Sequence, residues 1–162
     1  MKIFVSIVIP LLFLYVNSNA QTNTIEENGR VIDSVSILNK TQKQKLSETL
    51  QDLEKNTGSR LIVLIIDTLN GESIEDYSYK KANELWHNST SRYANGILIT
   101  VAMKDRKMRI EVGRDLESIV PDEFAARIIK EDMVPNFKAG KIYEGLYISV
   151  KKIQGKILSG IK

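Results

Sequence analysis

Three carboxylates, Asp115, Glu117 and Asp122, fall within eight residues around a glycine turn that follows an alternating strand. Asp33 and Asp67 end two other extended segments. Hard cations such as calcium take six to eight oxygens from carboxylates, carbonyls and amides in flexible loops. The same acids also suit solvated loops and the positive ends of helices, and no EF-hand spacing is present. Asn95-Gly96, before an apolar strand, could give an amide oxygen and a carbonyl to an ion, or make a turn with positive φ. Arg92, Arg109 and Arg114 could hold a phosphate or be solvated surface. Trp86, Tyr77 and Tyr93 read as core or core edge.

Exclusions narrow the chemistry further. With one histidine and no cysteine, the usual nitrogen and sulfur zinc sites cannot be assembled. Serine–histidine–acid catalysis would have to use His87, at a helix end where a histidine more often meets the negative dipole. No Gly-x-x-x-x-Gly-Lys loop and no Gly-x-Gly-x-x-Gly after a strand occurs, which argues against nucleotide cofactors. Lysines and acids are interspersed in a chain of net charge +3, so no nucleic-acid footprint stands out.

Several elements must position these residues. Residues 1–20 read as a secretory signal: Lys2, an apolar run from Ile3 to Val16, then Ser18-Asn19-Ala20. An uncleaved anchor is the alternative. Cleavage leaves about 142 residues, enough for one domain, exported to a periplasm or beyond. Net charge then falls to roughly +2. Residues 21–30 form a flexible leader, and residues 31–160 the single domain. No later apolar run approaches the ~20 residues that span a bilayer, so the mature chain is expected not to be an integral membrane protein.

Val31-Ile32-Asp33 opens the domain as a brief extended piece. Residues 41–56 form a helix with Leu46, Leu50 and Leu53 on one face, capped by Asn39 or Thr41 and closed by Gly58. Residues 60–67 make a central strand, residues 73–87 a helix, and residues 97–102 a second buried strand. Met108, Ile110 and Val112 alternate with charges, which predicts an edge strand antiparallel to its predecessor. A helix begins at Pro121, runs to about Met133, and is ended by Pro135. Residues 142–158 form the last helix, with Leu146, Val150, Ile153 and Ile157 on one stripe. The order predicts a three-layer α/β/α sandwich around a small mixed β-sheet with an antiparallel edge strand.

At these residues the chain resembles the TPM-domain family, named for a thylakoid-lumen protein, a photosystem repair protein and a nematode receptor accessory protein. The resemblance spans residues 31–158. It rests on Val31-x-Asp33, Leu46-x-x-x-Leu50, Glu54-x-x-Thr57-Gly58, Ser73-Ile-Glu75-x-Tyr77, Trp86 and Asn95-Gly-Ile-Leu98. It continues through Asp105-Arg-Lys107, Arg109-Ile-Glu-Val-Gly113, Leu116-Glu117, Asp122, Pro135-x-Phe137 and Gly140-x-x-Tyr143-x-Gly145-Leu146.

The resemblance implies an α/β/α sandwich and calcium, ahead of magnesium, in loops at one end of the sheet. It gives a ligand role to Asp33, Asn95, Glu117 and Asp122. Two positions depart from the pattern: Asp115 stands where a second glycine is common, and Asn88 where a glycine often follows the tryptophan. Many bacterial relatives end in a membrane helix and a glycine-rich tail. This chain stops at Lys162 and is expected to be a monomer free in its compartment.

Three functions follow. The leading one is a non-enzymatic calcium-binding module of the cell envelope. The second is a metal-assisted acid phosphatase on phosphate monoesters, an activity attributed to some members, with Arg92 or Arg109 steadying phosphate. The third is an accessory protein docking on a membrane or repair complex, which an exposed apolar patch beside the loops would favour.

Overall fold

The computed structural model describes residues 29–87 and 95–161. The signal segment, most of the leader, Asn88, Arg92 and Tyr93 lie outside the described residues. Four strands form one sheet in the order β1 (Val31–Asp33), β2 (Arg60–Ile66), β3 (Gly96–Ala102) and β4 (Lys107–Val112). The first three run parallel, and β4 pairs antiparallel with β3, Ile97 facing Val112 and Ala102 facing Lys107. β2 and β3 are apolar at nearly every position because both their faces are covered.

One face carries α1 (Lys40–Thr57), α3 (Asp122–Ile128), α4 (Val134–Lys138) and α5 (Ile142–Gly160). There Leu46, Leu50 and Leu53 of α1 and Leu146, Val150 and Ile153 of α5 meet Leu61, Val63, Ile65, Ile97 and Ile99. The alternate residues, Ile62, Leu64, Ile66 and Leu98, pack on the other face against Ile74, Ala82 and Trp86 of α2 (Ile74–His87). Each fully buried leucine or isoleucine contributes roughly 1.5–3 kcal/mol.

This arrangement has a topological consequence. α1 links β1 to β2 on one face, α2 links β2 to β3 on the other, and the strands advance in one direction. Of two such crossovers one must be left-handed, against the usual right-handed rule. It lets a four-stranded sheet gain cover on both sides.

The caps follow the sequence reading. Asn39 and Gln42 form a reciprocal capping box at the start of α1, and Gly58 closes it with φ 71°. Pro135 departs from it. The helix does not stop before the proline but passes through a π turn, Ile129–Met133, into α4. A proline inside a regular helix clashes with the carbonyl four residues back. The wider π turn relieves that clash and carries the chain past the proline into α4. Asn136 Nδ2 donates to the Asp132 carbonyl at 2.7 Å across the break. Among the described residues no helix is long and apolar enough to cross a membrane.

Candidate functional site

The four carried-over ligand positions do not share one end of the sheet. Asn95 precedes β3, and its carbonyl accepts from Arg60 N–H at 3.1 Å, at the start of β2. Gly113 N–H donates to the Gly96 carbonyl at 2.7 Å, which brings the turn bearing Glu117 to the same end. Glu117 and Asp122, the first residue of α3, are exposed there. Asp33 closes β1 level with Ile65, five residues along β2 from Arg60. At 3.3 Å per residue this is roughly 17 Å away.

Asp33 and Asn95 are also already partnered. The Asp33 carboxylate is fully buried. It accepts N–H bonds from Ile37 and Leu38 at 3.2 and 3.0 Å, with Lys43 Nζ at 3.5 Å. It therefore shapes the loop that leads into α1. Asn95 Oδ1 accepts from Ser59 Oγ at 2.7 Å, and its Nδ2 donates to the Gly58 carbonyl at 3.1 Å. Its amide ties the end of α1 to the start of β3. The four residues do not fit one calcium shell, because Asp33 stands at the wrong end; Asn95 is at the right end, with its amide engaged by Ser59 and Gly58. Among the described residues, no group of three or more histidine, cysteine, aspartate or glutamate side chains could hold a metal.

Asn95-Gly96 is not the positive-φ turn the sequence allowed, since neither residue has positive φ. Gly96 is needed for contact: a Cβ there would lie 2.6 Å from the Trp86 ring. The arginines do not converge on a phosphate either. Arg109 is bound to Glu111 at 2.7 Å in mid-strand, and Arg114 lies beyond the strand's end.

The opposite end of β3 holds a groove of about 490 Å³. Its floor is Val101, Met103, Met108, Val134, Phe137 and Ile142; Arg106, Lys107 and Lys138 stand with them in the lining, and no acid does. Ligands of α/β folds commonly bind beyond the carboxyl ends of strands, where this groove lies.

Local structure builds each wall. The β3–β4 turn has four successive charges, two of which are bonded to the loop after β2, Asp105 to its backbone and Lys104 in an exposed ion pair. The Asp105 carboxylate accepts Leu69 N–H at 2.8 Å, and that bond holds its pKa below the ordinary carboxylate value. Lys104 bonds Asp67 at 2.6 Å, which raises its pKa. With the turn pinned to the loop after β2, Arg106 and Lys107 are left at the groove. Arg106 has φ 53°, a left-handed conformation that costs a non-glycine residue roughly 1–2 kcal/mol. The opposite wall depends on the π turn and Pro135, which set the start of α4. Gly140, at φ 74°, allows the tight passage into α5, and Gly145 admits the Phe137 ring, which a Cβ would meet at 2.9 Å.

Sequence reasoning assigned the groove no role, although its residues were among the marks of the resemblance. Asp105-Arg-Lys107, Pro135-x-Phe137 and Gly140-x-x-Tyr143-x-Gly145 all meet here. A basic rim over an apolar floor suits a ligand that has both anionic and apolar parts.

Comparison with known proteins agrees with this architecture. The sequence profile of the TPM domain matches residues 31–156. The N-terminal domain of a protein from P. gingivalis is 26% identical, with TM-score 0.74 over 85% of this chain and 87% of that one. The BA42 protein from Bizionia argentinensis is 20% identical, with TM-score 0.66 over 78% and 86%. The N-terminal domain of the cg2496 protein from Corynebacterium glutamicum is 10% identical, with TM-score 0.63 over 84% of each. The latter two likenesses concern the fold alone. No curated protein matches the sequence.

Proposed function

The chain belongs to the TPM-domain family, and on that premise we propose that it is a non-enzymatic accessory module of the cell envelope that docks a partner in the groove beyond β3. The observation that carries this reading is the groove itself, apolar within and basic at its edge. It lies at the far end of β3 from the loops that carry Glu117 and Asp122, so the docking surface is separate from the apolar patch expected beside those loops. Export is part of the proposal, from the signal character of residues 1–20; a mature protein whose mass corresponds to a start at Gln21 tests it. A photo-crosslinking side chain at Met108, on the groove floor, should give a discrete adduct in cells. The same group at Tyr79, exposed on α2 across the sheet, should not. Equal labelling from both positions, or none from Met108, overturns the docking reading.

Calcium is a separate proposal, confined to the end where Asn95, Glu117 and Asp122 gather, with Glu117 and Asp122 supplying carboxylates. Such an ion would be structural. At a hundredfold excess over Kd it would add roughly 2.7 kcal/mol. Millimolar calcium should then raise Tm, and Glu117→Ala with Asp122→Ala should remove the rise. An unchanged Tm retires this proposal and leaves docking intact.

A further inference from the structure

We infer that the groove takes an extended acidic peptide segment with an apolar anchor residue, supplied by a partner protein. The inference rests on the docking reading and adds the class of ligand.

Charge gives the first argument. Arg106, Lys107 and Lys138 line the groove and no acid lines it with them. Asp105, whose charge interacts with that of Lys107, is bonded to Leu69 N–H outside the lining. Arg106 and Lys138 have no ion pair among the described residues. The turn's remaining lysine, Lys104, is bound away to Asp67. Complementary charge favours an anionic partner and speeds its encounter.

Shape gives the second. Met103, Met108, Val134, Phe137 and Ile142 are all only partly buried, yet none is among the prominent exposed apolar side chains, Ile37, Tyr79, Ile148, Leu158 and Ile161. The floor is recessed, so a projecting side chain reaches it and a flat bilayer surface does not. Two methionines give that floor an adaptable surface, suited to anchors of varied form. β4 is also the edge of the sheet. An extended segment can lie beside its start, with alternate residues turned toward the groove and toward water.

The test uses the whole chain and three labelled peptides: alternating glutamate and leucine, the glutamine counterpart, and the lysine counterpart. Anisotropy should show the acidic peptide binding at least about tenfold tighter than the glutamine one. Amide shifts should concentrate at residues 101–108 and 134–142, and affinity should fall as salt rises from about 50 to 500 mM. Arg106→Gly and Lys138→Gln, with amide spectra otherwise unchanged, should each weaken binding about threefold. Equal binding of acidic and glutamine peptides overturns the ligand class, while adducts from position 108 would still uphold docking. Groove shifts with phosphatidylglycerol vesicles and none with peptide overturn the inference in favour of a membrane. No groove shift with any probe, together with no adduct in cells, retires both proposals.

Discussion

Where β2 and β3 begin, polar groups are spent on one another: Asn95 bonds Ser59 and Gly58, and Trp86 closes over Gly96. Where β3 ends, the polar groups that bond are set one layer back, Asp105 on Leu69 and Lys104 on Asp67, and Arg106 and Lys107 remain at a groove. The first end is closed largely as structure, with Arg60 Nε its buried exception among the described residues; the second presents its cations at a groove. A cluster of suggestive residues thus says little until each donor and acceptor has been accounted for.

Two glycines give the largest test of that contrast. An added Cβ at Gly96 would press on Trp86 at 2.6 Å, and one at Gly145 on Phe137 at 2.9 Å. Overpacking of this kind costs about 1–3 kcal/mol. Gly96→Ala and Gly145→Ala should therefore both lower Tm by several degrees. Only Gly145→Ala should also displace the Phe137 ring resonances and weaken acidic-peptide binding. If Gly96→Ala weakens it equally, the two ends are coupled and the contrast breaks.

Asn95 should come next. Asn95→Ala leaves the buried Ser59 hydroxyl without its acceptor and Gly58 without a donor. The loss should be about 1–2 kcal/mol, read from urea unfolding. Asn95→Asp keeps the acceptor, loses the donor, and should lie between Ala and wild type without calcium. A gain in calcium-dependent stability in Asn95→Asp would show that this end is a cation site after all.

The brace beneath the groove should show itself through pH. The Asp105 carboxyl is held below its usual 3.8, chiefly by Leu69 N–H. A depressed folded value means that this contribution is complete above 3.8 and lost as pH falls through the folded value. Asp105→Asn should be less stable than wild type at pH 7, and the gap should close in acid. A gap that stays constant with pH would mean the carboxylate charge does not hold the turn.

Much of this molecule was legible from local pattern. Leu46, Leu50 and Leu53 at helical spacing, the Asn39 cap, the unbroken apolar runs of β2 and β3 and the alternation in β4 each state their own structure. Three things were not. No residue records which face a crossover helix takes, so the left-handed connection is silent in the sequence. Pro135 carries the ordinary sign of a helix end, and only the π turn before it shows how the chain continues. The groove is built from residues 101–108 and 134–142, whose local readings are a charged turn and a helix end. Asp33 misled for the converse reason: a buried carboxylate serving two backbone N–H groups looks, in sequence, like a free ligand.

Arg106 separates the two ends with the smallest stability change. Its φ of 53° is one that glycine adopts freely, while arginine there meets a steric cost. Glycine would relieve that cost and lose more entropy on folding, so Arg106→Gly should change stability by less than about 1 kcal/mol. If the turn exists only to join β3 to β4, the substitution should leave binding as it was. If the turn serves the groove, acidic-peptide affinity should drop about threefold at unchanged Tm, with the salt dependence reduced as well. A side chain held against its own backbone preference would then be retained for what it touches outside the fold, and urea unfolding beside peptide titration on one variant decides between the two.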